Sequence, residues 1–184
     1  MRRSLLTLAL LTVACAAPGP PPADFEIRYL RTPSDYSVSV PFEITIGASG
    51  QMVVDPYPGP QRGEVIDDQV ARADVERLWS LARRADLFRE DPTYLTEEDG
   101  CREVWANHGT ATLELTADGE THTARHYLGC RGGGEIEDLW HLEETIELLA
   151  RIPERRQQWE IQAAIEAKAA EEGETGESRV IRVD

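Results

Sequence analysis

The sequence predicts an α+β domain: a small antiparallel sheet of about five to six strands, two helices packed on one of its faces, and a C-terminal helical tail. Three observations carry this. Apolar residues alternate through "FEIRYL" and again through "FEITIGASGQMVVD". They recur at helical spacing in "DVERLWSLARRADLF" and "EIEDLWHLEETIELLARI". Between those two stretches, "TATLELTADGETHTARHYL" alternates on both sides of Asp118-Gly119, the dipeptide that a type I′ hairpin turn favours.

Taken in order, Phe25, Ile27 and Tyr29 share one face of a first strand, and Phe42, Ile44 and Ile46 one face of a second. The turn residues Gly47 to Gly50 lead into a third strand around Met52 to Val54. Asp55 to Gly63 is too rich in Pro and Gly to be anything but a loop, with a short edge strand expected near Val65-Ile66. Val75, Leu78, Trp79, Ala82 and Ala85 line one side of the first helix. A long polar loop, "REDPTYLTEEDGC", separates it from the hairpin, where Leu113 and Leu115 face one way, as do Ala124 and Leu128. Ile136, Leu139, Trp140, Ile146 and Leu149 mark the buried side of the second helix. Its first turn holds Glu135, Glu137 and Asp138, where the helix dipole favours acids, and Pro153 stops it. Antiparallel strands, helix, hairpin and helix in this order make two layers.

The first residues are an address rather than structure. Met1-Arg2-Arg3 is basic and Leu5 to Ala14 is apolar. That run is half the roughly twenty residues a membrane-spanning helix needs, and it reads as a secretory signal. Two cleavage readings stand open. "TVAC" resembles a bacterial lipobox cut before Cys15, with Thr12 where the pattern usually has Leu; Ala14-x-Ala16 would suit an ordinary signal peptidase. We expect lipidation, because Cys15 falls where the apolar run ends. Ala16 in place of an acidic residue points, by resemblance to lipoprotein sorting, to the outer membrane. Residues 15–24 would then be lipid anchor and Pro-rich tether, "AAPGPPPAD" favouring extended polyproline II. Residues 25–152 form a single domain and 153–184 a charged helical or disordered tail.

Cutting after Ala14 leaves 184 − 14 = 170 residues, enough for one domain with tails. The formal charge is 19 − 34 = −15. A body this acidic repels phosphate backbones, so nucleic acid is an unsuitable partner. With Cys15 set aside, Cys101 and Cys130 remain, and export to an oxidising compartment favours their pairing. Around Asp118-Gly119 opposed hairpin positions sum to 237, which sets Cys130 opposite Asn107. A bridge therefore requires Arg102 to Ala106 to fold back across the open end of the hairpin. Such a disulfide would pin the Thr93–Gly100 loop to the sheet rather than staple two paired strands.

Arg31-Thr32-Pro33, Pro41-Phe42-x-Ile44-x-Ile46, Leu78 to Phe88 and His126 to Cys130 carry a resemblance. The span from about Phe25 to Ile152 resembles a family of small secreted bacterial domains of unknown function. Its members run strands, helix, hairpin, helix, often behind a lipoprotein leader. Where that family has a Cys-Phe-Gly-x-x-Cys-Pro-like element, this chain has "SDYSVSVP", so nothing resting on that element carries over. The resemblance implies a fold and a location, and no activity.

No nucleophile elbow, zinc-protease or phosphate-loop motif is present. His122 and His126 would share a strand face, but four strand residues span about 13 Å, too far for one metal ion. "LTEEDG" lacks the spaced ligands of a calcium loop, and "CRGGGE" reads as a flexible connection beside the disulfide. No cofactor is expected. Tyr57, Tyr94 and Trp159 have no periodic partner and are the candidate binding surface. The expected function is a non-catalytic binding or structural module of the envelope, lipid-anchored on the periplasmic face of the outer membrane, whose partner is another envelope protein or ligand. The rivals are an envelope hydrolase with an unrecognised site and a secreted, non-lipidated inhibitor or adaptor.

Overall fold

The computed structural model describes residues 19–37, 39–56, 64–88 and 91–176. The signal segment, Cys15, Tyr57 and most of the Pro-rich loop lie outside the described residues. The chain is α+β, with a mixed seven-stranded sheet larger than the five or six strands expected. Its order is β4-β3-β2-β1-β7-β8-β5, where β1 is Glu26–Thr32, β2 Phe42–Gly47, β3 Gln51–Pro56, β4 Ile66–Gln69, β5 Thr93–Tyr94, β7 Thr110–Ala117 and β8 Glu120–Tyr127. Two short strands, β6 (Glu103–Val104) and β9 (Cys130–Arg131), pair separately. The helices are α1 (Arg72–Arg84), α2 (Glu135–Leu149) and α3 (Ile152–Gly176).

The period-2 pattern sorts the sheet's faces. Ile27 and Tyr29 of β1, Phe42, Ile44 and Ile46 of β2, Met52 and Val54 of β3, and Leu113 and Leu115 of β7 are all buried. They meet Val75, Leu78, Trp79 and Ala82 of α1 and Ile136, Leu139 and Ile146 of α2. The β7–β8 register pairs Thr110 with Tyr127 and Ala117 with Glu120, the sum of 237 that the turn requires. Asp118 and Gly119 both take positive φ, 53° and 79°, which suits Asp and Gly and matches the strand twist.

The seventh strand comes from the segment read as a polar loop. Thr93 and Tyr94 add to β8 in parallel, opposite Arg125 and His126. Two residues are too few for an alternation to register. Pro153 also does more than stop a helix. The helix breaks at Arg151, with φ 54°, and Pro153 lies in the first turn of α3, where its missing N–H leaves no bond unmade. The glycines before α2 meet two different demands: a Cβ on Gly132 would fall 2.6 Å from Ile136 Cδ1, and Gly134, with open space around it, holds φ 65°.

The Pro-rich stretch is docked from Gly19 onward. The Trp79 indole donates to the Gly19 carbonyl at 3.1 Å, Phe25 N–H donates to the Pro22 carbonyl at 3.1 Å, and the Phe25 and Trp79 rings meet edge to face at 5.4 Å. The two Asp24 carboxylate oxygens accept the N–H groups of Asp118 and Gly119 at 3.0 and 2.6 Å. Those bonds hold the Asp24 carboxyl below its ordinary pKa, the Gly119 bond most strongly.

Candidate functional site

The disulfide Cys101–Cys130 is present, with Cα atoms 5.2 Å apart. Arg102 to Ala106 folds back as the hairpin register demands, and in doing so forms its own ladder, Val104 opposite Cys130 and Glu103 opposite Arg131. The bridge joins Cys130 of β9 to Cys101, which lies just before β6, so it sits beside a short pair of strands that the fold-back adds. Backbone bonds complete the join: Arg102 N–H to the Arg131 carbonyl at 2.6 Å and Trp105 N–H to the Gly129 carbonyl at 2.8 Å.

This construction carries Trp105, which is 51% exposed. The Tyr127 hydroxyl donates to the Trp105 carbonyl at 2.9 Å and accepts the His108 N–H at 3.2 Å. Glycine is required beneath it, since a Cβ on Gly129 would lie 2.0 Å from the Trp105 carbonyl oxygen. The Arg131 guanidinium lies 4.8 Å from the Trp105 ring centroid and 4.2 Å from that of Trp140. The His108 ring lies 6.3 Å from that of Trp105 and 6.5 Å from that of Tyr127. An indole held at both backbone ends and stacked on a cation loses little freedom when something binds it, which is what a contact residue needs.

His108 is shared with a cleft of about 140 Å³ between the β1–β2 connection and the start of β7. Arg31, Arg156, Ser34, Ser37 and Asn107 also line it. Both cations are committed to one carboxylate: Arg31 pairs with Glu147 Oε1, and Arg156 reaches Glu147 Oε2 at 3.6 Å. The cleft thus offers hydroxyl and amide groups beside two guanidinium groups that share one carboxylate.

A second polar group is sealed. His126 is 0% exposed and Glu143 2%, and His126 Nδ1 lies 2.9 and 3.0 Å from the two Glu143 carboxyl oxygens. Burial raises the Glu143 pKa, with the His126 bond opposing it. The Tyr94 and Trp140 rings stand at 89° to the imidazole, at 6.5 and 5.5 Å, and Nε2 has no hydrogen-bond partner among the described residues. Nearby, the buried Tyr29 hydroxyl donates to Glu147 at 2.7 Å, and burial raises its pKa well above the ordinary phenol value. Neither His126 nor Glu143 lines the Arg31–Asn107 cleft.

The aromatic residues expected to form a binding surface are not brought together. Tyr94 is 5% exposed, and its hydroxyl donates to Glu135 at 3.1 Å; its place in β5 turns it inward. Trp159 lies on α3, with its ring 6.0 Å from that of Phe42, because the first turns of α3 pack beside β2. Tyr57 lies outside the described residues. His122 and His126 do not converge: His122 meets Phe88 edge to face at 5.8 Å, while His126 faces Glu143. In "LTEEDG", Asp99 accepts from Thr96 and Leu95, bonds that lower its pKa, the Thr96 side chain first. Trp105 escaped notice because a lone aromatic in a short loop has no periodicity. Its signal in the sequence is its place between Arg102 and Ala106, the segment that must fold back for Cys101 to reach Cys130. The chain matches no family model, and no curated protein matches it.

Proposed function

We propose that this chain is an envelope lipoprotein, anchored through Cys15 on the periplasmic face of the outer membrane, whose domain is a non-catalytic binding module that presents Trp105. We place it with the small secreted domains that its sequence resembles. The observation that carries the binding reading is the exposed indole on a loop fixed by a disulfide, backbone bonds and a glycine contact. A rigidly held, half-exposed indole supports the reading, because Trp is enriched among residues that carry binding energy and little freedom is lost when it is covered. The disulfide supports export, since such bridges persist in oxidising compartments. The burial of the imidazole–carboxyl pair supports a structural role for it over a catalytic one, because a general base must reach its substrate.

The test is a photo-reactive phenylalanine analogue at position 105 in cells, with one at the exposed Glu144 of α2 as control. A discrete adduct from position 105 and none from position 144 supports the reading. The absence of any adduct at position 105, with the protein present at its normal level, contradicts it.

A further inference from the structure

The docked N-terminal stretch fixes how an anchored domain would sit. Cys15 precedes Gly19 by four residues, and four residues span at most about 14 Å whatever their conformation. Gly19 is held by Trp79 of α1, and Pro20, Pro21 and Pro22 line a cleft with Arg72 and Val75 of the same helix. A lipid on Cys15 therefore enters the bilayer beside α1, not from the end of a long spacer.

That helix is basic in an acidic chain. It holds Arg72, Arg77, Arg83 and Arg84 against Asp74 and Glu76, 4 − 2 = +2, where the whole chain is −15. Arg72 pairs with Glu76 and Arg84 with Asp138, and the Arg83 guanidinium lies 5.9 Å from the Trp79 ring centroid. Arg77 is exposed and has no ion-pair partner among the described residues. The Trp105 loop lies at the other end of the sheet. Glu26 pairs with Thr116 near the anchored end, and Thr32 pairs with Thr110 near Trp105. Eight residues of β7 separate the two ends by about 25 Å.

We infer that the exposed face of α1 docks on an anionic phospholipid surface, so that Trp105 points away from the membrane. This rests on the lipid anchor proposed above. The short reach holds the arginines within a Debye length or two of the headgroups, where each basic group is attracted and salt weakens the attraction. The rest of the acidic body is repelled, which favours this one orientation.

The experiment uses the full lipidated chain in vesicles of phosphatidylethanolamine and phosphatidylglycerol that carry a nitroxide-headgroup quencher. A fluorophore is placed on Arg77→Cys or on Ala106→Cys, both exposed positions, with thermal unfolding as the check on folding. The expected result is severalfold stronger quenching at position 77 than at 106, with the difference shrinking when phosphatidylglycerol is omitted or salt is raised. Equal quenching, or stronger quenching at 106, overturns the inference, and a difference indifferent to phosphatidylglycerol overturns its electrostatic basis. Flotation separates the two claims: a chain that does not float with vesicles removes the anchor and the inference together, whereas a chain that floats with equal quenching removes the inference alone.

Discussion

His126 and Glu143 face each other across the layer between sheet and helix, Nδ1 to carboxyl oxygen at 2.9 Å, with almost no exposure on either side. The pair closes on itself and spans two elements, β8 and α2. It specifies how α2 sits on the sheet, since a shift along the helix would strand both groups without partners.

Breaking one side of this pair should be far worse than replacing both. Glu143→Leu leaves a buried imidazole nitrogen without its partner and is expected to cost about 1–3 kcal/mol. The double variant His126→Phe with Glu143→Met should recover most of that loss. Urea unfolding of the three proteins checks it, and equal losses in the single and double variants would count against the assignment.

The sequence made the β1–β3 strands, the hairpin register and α1 legible, because each repeats its pattern over enough residues to be read. Val75, Leu78, Trp79, Ala82 and Ala85 are all buried, as their spacing requires. Glu143 was not legible: a glutamate among apolar positions looks solvated until the strand opposite supplies His126. Thr93-Tyr94 was hidden by brevity, and Trp105 by isolation. The site depends on a tertiary fold-back, of which the sequence shows only the two cysteines.

Asp24 gives a pH dependence with a definite sign. Its carboxyl is held below the ordinary value by the N–H groups of Gly119 and Asp118. A group whose folded pKa is depressed contributes stability above its unfolded value, about pH 3.9, and loses it as pH falls through the folded one. Wild type should therefore exceed Asp24→Asn in thermal stability at neutral pH, and the gap should close on acidification below about pH 4. A gap that widens in acid would refute the sign. Thermal scans across that range decide it.

The disulfide closes a loop of 29 residues, for which chain entropy predicts about 3–4 kcal/mol. Replacing both Cys101 and Cys130 with Ser should lower stability by up to that amount and speed amide exchange at Trp105 before any change in β7. Unaltered exchange at Trp105 would show that the backbone bonds alone hold the loop.

Gly129→Ala tests the close approach beneath Trp105. A Cβ at 2.0 Å from a carbonyl oxygen cannot be accommodated without moving backbone, and the expected cost is about 1–3 kcal/mol. The same substitution at Gly100 needs separate treatment, because its φ of 98° strains any side chain although nothing lies within 4 Å. Calorimetry of Gly129→Ala should show the loss, and its NMR spectrum a displaced Trp105 indole resonance; an unchanged stability together with an unchanged resonance would contradict the contact.

The functional account turns on Cys15, and intact-protein mass spectrometry of the chain purified from the envelope reads it directly. The expected result is a mature chain that begins at Cys15 and carries acyl groups, with Cys15→Ser found in the soluble fraction and folded. A mature chain that begins at Ala17 with no lipid mass, or a Cys15→Ser variant that still fractionates with membranes, would contradict it.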